Sequence, residues 1–412
     1  MSFFLPSYTN RSAPPSYTPT PSENEHILGQ AALSRESNGG TFVRSDPNAR
    51  LTIMLDGQKE DSINRPILGR GSAVTGTVFV GSPESIVAVN LKVEGLMEAL
   101  SVSLGYQATK VVNDILSLFS KTGAPCPSSI PFSYRFPAMF GPFQNSYQLP
   151  PSCNISFRDG GFLKCVYSLT VVAVYRSVSF LMKERSVHIE LNYRQRTRPS
   201  RPRISDPTLF ATIKVCPEEW LQLPVELTVG AGDTRQPSDL HCDLFVPSIG
   251  VFALVEAIPF HIQLSGPLGV LRSFLLLSPR ADNGHVDTVR QPIRVYLLRQ
   301  TTLSTPEKGA IKVNATLYEA ALRPLPPPHS SATFDSQHRQ LDSASLNWEG
   351  ELHVQNADLP SFDAGTVNVA YLIAVEITPP RNITSATINR ARYGVPVKLT
   401  TDTWAGSAES PD

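Results

Sequence analysis

Residues 85–95 read SIVAVNLKVEG. Val87, Val89, Leu91 and Val93 alternate there with Ile86, Ala88 and Asn90, so a period of two lays one aliphatic row along a single face. A strand with one apolar face needs a second layer to cover it, and a two-sheet sandwich supplies that layer. Working outward, short β-rich runs recur at turn-sized gaps: LTIML at 51–55, AVTGTVFV at 73–80 and ALSVSLGY at 99–106. Gly, Pro, Asn and Asp separate them, as turns require.

One stretch departs from this period. In VVNDILSLFSK, residues 111–121, Val111, Val112, Ile115, Leu118 and Phe119 recur at helical spacing, which predicts a short amphipathic helix packed on its own sandwich. Further runs read as strands: IPFSYRFP at 130–137, LKCVYSLTVVAVYR at 163–176 and SVHIELNYR at 186–194, with the turn-rich QLPPSCNISFRDGG at 148–161 among them. A second series follows: LFATIKVC (209–216), LPVELTVGAG (223–232), CDLFVPSI (242–249), AIPFHIQLSG (257–266), SFLLLSP (273–279), IRVYLLRQTTL (293–303), GAIKVNATLYEA (309–320), LNWEGELHVQ (346–355) and TVNVAYLIAVEI (366–377).

The predicted fold is therefore all-β, two consecutive immunoglobulin-like sandwiches with one short helix in the first. A chain of 412 residues exceeds what one core usually supports. Residues 1–26 carry five prolines among Ser and Thr and read as a disordered tail; 27–195 form the first sandwich and 205–403 the second. Between them, RQRTRPSRPR at 194–203 has five arginines, two prolines and no aliphatic residue, the composition of an exposed connector spanning 196–204. Proline-rich 323–345 reads as a mobile loop, and 404–412 as a frayed end.

Lys plus Arg equals Asp plus Glu at 36 each, so no net field draws the chain to nucleic acid. The five cysteines, Cys126, Cys153, Cys165, Cys216 and Cys242, are scattered and form no C-x-x-C pair, which points to buried thiols and to neither a zinc site nor a disulfide framework. The first residues lack a basic start followed by an apolar run, and no stretch approaches the roughly 18 apolar residues of a membrane span. The expectation is a cytoplasmic protein, with the sequons at Asn10, Asn154, Asn314 and Asn382 unused.

Pro14, Pro15, Ser16 and Tyr17 form P-P-x-Y, a WW-domain ligand whose prolines favour polyproline II and whose tyrosine fills a second groove. Leu5, Pro6 and Tyr8 make a looser second copy, and two linked motifs gain avidity for tandem WW domains. Arg194, Arg196, Arg198, Arg201 and Arg203 are candidates for contact with an anion or an anionic lipid surface, against the plainer reading of a solvated connector. G-x-S-x-G, H-E-x-x-H and the phosphate-binding G-x-x-x-x-G-K-[ST] are all missing, and His241 beside Cys242 would point to opposite faces of a strand. The reading is a protein without catalytic residues, metal, cofactor or small-molecule substrate.

The order of the runs resembles arrestin-domain proteins, in particular the fungal arrestin-related adaptors and α-arrestins. GRGSAVTGTVFV leading into SIVAVNLKVEG is similar to the family's opening strands. IPFSYRFP followed by LPPSC and VYSLTVVAVY resembles its "lP-P-S" segment and the strand after it, with Cys153 where the family commonly has an aromatic or aliphatic residue. AIPFHIQLSGP, IRVYLLRQTTL and SFDAGTVNVAYLIAVEI resemble the C-terminal arrestin sandwich, so the likeness covers roughly residues 50–400. It implies a trafficking adaptor that binds a membrane transporter or receptor as cargo. The P-P-x-Y segment then recruits a HECT-type ubiquitin ligase, so that cargo is ubiquitinated, endocytosed and sorted at the plasma membrane or endosomes. A scaffold or vesicle-sorting component on the same fold, acting without a ligase, is the alternative.

Overall fold

In the computed structural model, the residues described are 40–58, 65–69, 73–142, 145–176, 182–202, 209–225, 227, 240–267, 271, 274, 291–325, 343–354, 357–378 and 391–404. The first half holds twelve strands: β1 (Gly40–Asp46), β2 (Leu51–Gln58), β3 (Ile67–Gly69), β4 (Ala73–Val80), β5 (Ile86–Ser101), β6 (Gly105–Ser120), β7 (Ser129–Arg135), β8 (Met139–Phe140), β9 (Tyr147–Gln148), β10 (Cys153–Ser156), β11 (Phe162–Arg176) and β12 (Met182–Arg194). The second half holds α1 (Leu209–Val215), β13 (Trp220–Val225), β14 (His241–Pro247), β15 (Val251–Ala253), β16 (Ala257–Pro267), β17 (Ile293–Thr305), β18 (Gly309–Glu319), β19 (Arg323–Leu325), β20 (Ser343–His353), β21 (Phe362–Asp363), β22 (Val367–Ile377) and β23 (Ala391–Thr400).

These strands make two consecutive sandwiches. One sheet of the first runs β1-β2-β4-β7; the other runs β3-β12-β11-β5-β6, with β10 added beside β11. The second pairs β13-β14-β16-β20-β19 with β15-β23-β22-β17-β18, with β21 added beside β22. The two halves thus share one plan. In each, a long hairpin at one end of the sheet is followed by a short strand beside the next long strand, and a three-residue strand lies parallel to the last one, β3 on β12 and β15 on β23.

Local chemistry repeats with the plan. In the first sandwich Tyr167 Oη donates to Pro150 O at 2.6 Å, while Ser152 N donates to Tyr193 O and accepts through Oγ from Tyr193 N, both at 2.9 Å. In the second, Tyr371 Oη donates to Leu359 O at 2.7 Å, and Ser361 exchanges the same two bonds with Leu399, each at 2.9 Å. Leu149-Pro150-Pro151-Ser152 and Leu359-Pro360-Ser361 are therefore equivalent corners. In each, a prolyl segment without a free N–H at Pro is tied to the last strand by one serine.

The core confirms the alternation of 85–95 with one correction: Val89, Leu91 and Val93 are buried, but Ile86 takes the place expected for Val87. Tyr175 pairs with Ile86 and Val174 with Ala88, so Val87 is the extra residue of a bulge and the face switches there.

The helix expected over 111–119 does not form; those residues lie within the edge strand β6. Two register breaks explain the spacing. On β5, Gly95 and Leu96 pair with Val112 and Lys110, leaving Val111 unpaired, and Val89 and Asn90 pair with Phe119 and Ser117, leaving Leu118 unpaired. Each bulge inserts one residue and doubles an apolar position, so a period of two imitates 3.6. Gly95 makes the first bulge possible, because a Cβ there would stand 2.8 Å from both Tyr167 and Val111.

In the second half, LFATIKVC, expected as a strand, forms α1 over 209–215. The side chain of Thr212 accepts from Trp220 Nε1 at 3.1 Å, which ties this helix to the start of β13. The loop expected over 323–345 begins and ends as strand, with Arg323–Leu325 paired to Asn347–Glu349 of β20. SFLLLSP lies almost wholly outside the described residues, as do 1–39 and 326–342. Strand β23, unforeseen, carries Gly394 and Pro396, both poor strand formers.

Candidate interaction site

The connector and the seam between the sandwiches are the part of the candidate site that falls on described residues. Pro14, Pro15, Tyr17, Leu5, Pro6 and Tyr8 lie outside the described residues, as does Arg203. Arg194, Arg196, Arg198 and Arg201 are all exposed. The first three are two residues apart in an extended stretch, which projects them to one side, while Gln195 and Pro199 are buried.

This connector is not free. Gln195 Nε2 donates to Gln148 Oε1 at 2.9 Å, fixing its start to the first sandwich. Thr197 is stitched to the end of β23: its N–H donates to Thr401 Oγ1 at 2.8 Å, and its carbonyl accepts from Asp402 N at 2.9 Å. The Thr401 hydroxyl also reaches that carbonyl at 3.1 Å, and Thr401 N donates to Thr197 Oγ1 at 3.2 Å. Arg196 Nε lies 3.5 Å from Asp402 Oδ2, Arg201 Nη1 lies 3.9 Å from Glu219 Oε2, and Arg201 Nη2 donates to Ser248 Oγ at 3.1 Å. Two of the four described arginines thus have local carboxylates. Exposed pairs of this kind contribute about 0–1 kcal/mol each, enough to orient a side chain but not to hold the sandwiches together.

The seam itself is built from turns and short strands. Lys308, in the turn between β17 and β18, donates through Nζ to Leu104 O, in the turn between β5 and β6, at 3.3 Å. Tyr147 of β9 lies against Gly365, where an added Cβ would meet its ring at 2.7 Å. Arg299 of β17 stands near enough to Tyr371 and, across the boundary, to Cys153 of β10 for its positive charge to favour the ionised form of each. Burial pushes the Cys153 thiol up to about 12, against the opposing pull of the Cys165 backbone N–H and of Arg299. Cys165, directly opposite in the β10–β11 ladder, is also raised, first by burial. Thiols held protonated in this way are poor nucleophiles and poor metal ligands. Among the described residues, no three His, Cys, Asp or Glu side chains are placed to hold a metal ion, and no helix is long and apolar enough to cross a membrane.

Sequence reasoning singled out the arginines and passed over Thr197, Thr401, Asp402, Gln195 and Arg299, which the structure brings to the connector and the seam. Nothing in their spacing marks them, because partners 204 residues apart in the chain meet only once both sandwiches are formed. The one available signal was the repeated Leu-Pro-Ser corner at 149–152 and 359–361. A scan against protein-family models finds no match for this chain, and a search of the curated proteins finds no similar one.

Proposed function

We propose that the protein is a non-enzymatic adaptor of the arrestin type. It binds a membrane transporter or receptor through its paired sandwiches and recruits a WW-domain ubiquitin ligase of the HECT class through Pro14, Pro15 and Tyr17, with Leu5, Pro6 and Tyr8 as a second contact. The observation that carries this reading is a P-P-x-Y sequence placed ahead of two consecutive β-sandwiches of one plan. Sheet domains joined in this manner offer edges and broad faces to a partner, and a short proline-rich motif adds a second, independent recognition mode. The reading locates the protein in the cytoplasm, with recruitment to the plasma membrane or endosomes.

A pull-down from cytosol tests it, with wild type and the double variant Tyr8→Ala, Tyr17→Ala as baits. Wild type is expected to retain a WW-bearing ubiquitin ligase and the variant to lose it. Retention of equal ligase by both baits, or by neither, overturns the recruitment step and leaves the scaffold without a ligase. The local pairing of Arg196 and Arg201 favours a connector role for the arginine cluster over an anionic lipid surface as its main contact.

A further inference from the structure

We propose that Thr197 is a phosphorylation site for a kinase that selects arginine, and that its phosphorylation undoes the stitch between the connector and β23. This goes beyond the adaptor reading and does not depend on it. The sequence supplies the recognition elements: Arg194 stands three residues before Thr197, with Arg196 and Arg198 on either side, all exposed. Kinase grooves of this type bind an extended segment and read guanidinium groups with carboxylates, and the chain around Thr197, from 195 to 199, is in neither helix nor turn.

The structure supplies the consequence. Thr197 joins connector to β23 through its N–H, its carbonyl and its hydroxyl, all three directed at Thr401 and Asp402. In the modification the Thr197 oxygen bonds to the γ-phosphorus of ATP, the bond from that phosphorus to ADP breaks, and the hydroxyl proton passes to the catalytic carboxylate of the kinase. The product carries close to two negative charges where the hydroxyl accepted from Thr401 N, next to the Asp402 carboxylate. Like charges then repel at the stitch, while Arg194, Arg196 and Arg198 can turn to the phosphate with charge-assisted bonds. Arg196 thus changes partner, from Asp402 to the phosphate, and the modified connector is compensated away from β23.

Because the backbone of Thr197 is engaged, the kinase acts on the transiently opened stitch, and its rate follows that open population. Thr401→Ala removes one hydroxyl that both accepts from and donates to Thr197, and should raise the initial rate of phosphorylation roughly tenfold. The test uses the full chain, ATP and the catalytic domain of a calmodulin-dependent kinase, with the site mapped by mass spectrometry in wild type, Thr401→Ala and Thr197→Val. Phosphate on Thr197 in wild type, faster incorporation in Thr401→Ala and none at this segment in Thr197→Val are expected. Hydrogen exchange at Thr401 and Asp402 should then quicken by about tenfold in the phosphorylated protein. No label on Thr197 in either wild type or Thr401→Ala overturns the site, whether or not a free peptide of residues 190–202 is labelled. Label on Thr197 with unchanged exchange at Thr401 and Asp402 overturns its role as a release.

Discussion

His261 shows how much one buried side chain adds to the pH response. It lies in β16, its Nε2 is 3.3 Å from Asn347 Oδ1, and its ring stands 5.6 Å from that of Phe245. Its cross-strand neighbour Glu349 is engaged by Arg323 at 3.2 Å. Burial lowers the imidazole to about 4, against a smaller opposing effect of the Asn347 hydrogen bond. The folded group stays neutral where the unfolded one takes a proton, so its contribution is complete above about 6.5 and is lost as pH falls toward 4. Wild type should lose on the order of 2 kcal/mol more than His261→Gln between pH 7 and 4.5, seen as a larger drop in urea midpoint. Parallel pH profiles for the two proteins would remove His261 from the account.

Among the elements, β6 separates what the sequence states from what it conceals. Alternation made β5, β11, β16, β17 and β22 legible, because each has a core face, that of β5 unbroken from Val89 onward. In β6 the extra residues Val111 and Leu118 shift the pleat twice, and a bulge leaves no mark in composition. Strand β23 was concealed for the opposite reason: Gly394 and Pro396 argue against a strand, and only pairing on β22 at Ala374 and Leu372 overrides them. The two descriptions of β6 differ in a measurable way. A helix would put Val112 and Ile115 on one buried face, whereas in the strand Val112 is 5% exposed and Ile115 is 65% exposed. Ile115→Lys should leave the unfolding midpoint within about 0.5 kcal/mol of wild type, while Val112→Lys should cost more than about 3 kcal/mol. Equal losses in chemical denaturation would restore the helix.

For the whole molecule, the repeated plan carries a quantitative expectation. Tyr167 and Tyr371 occupy equivalent corners and donate to equivalent carbonyls, so each change to Phe leaves one buried carbonyl unpaired. Each should cost about 1–3 kcal/mol, and the double variant should show the sum, since the corners belong to different sandwiches. A loss confined to one tyrosine would mean that the corners only look alike. The candidate site was less legible than the fold for a reason of the same scale. A motif such as P-P-x-Y is contiguous and can be read directly, whereas Thr197 and Thr401, or Arg299 and Cys153, acquire meaning only from the way two independent sheets meet.

Gly365 bears on that meeting. With φ at +78° and the Tyr147 ring filling the space where a side chain would begin, it works as a mechanical stop: the first sandwich rests on bare backbone of the second. At this point of the seam an aromatic ring of one half touches the bare main chain of the other. Any residue other than glycine at 365 has to take up a strained backbone conformation and push the end of the Tyr147 side chain out of its seat.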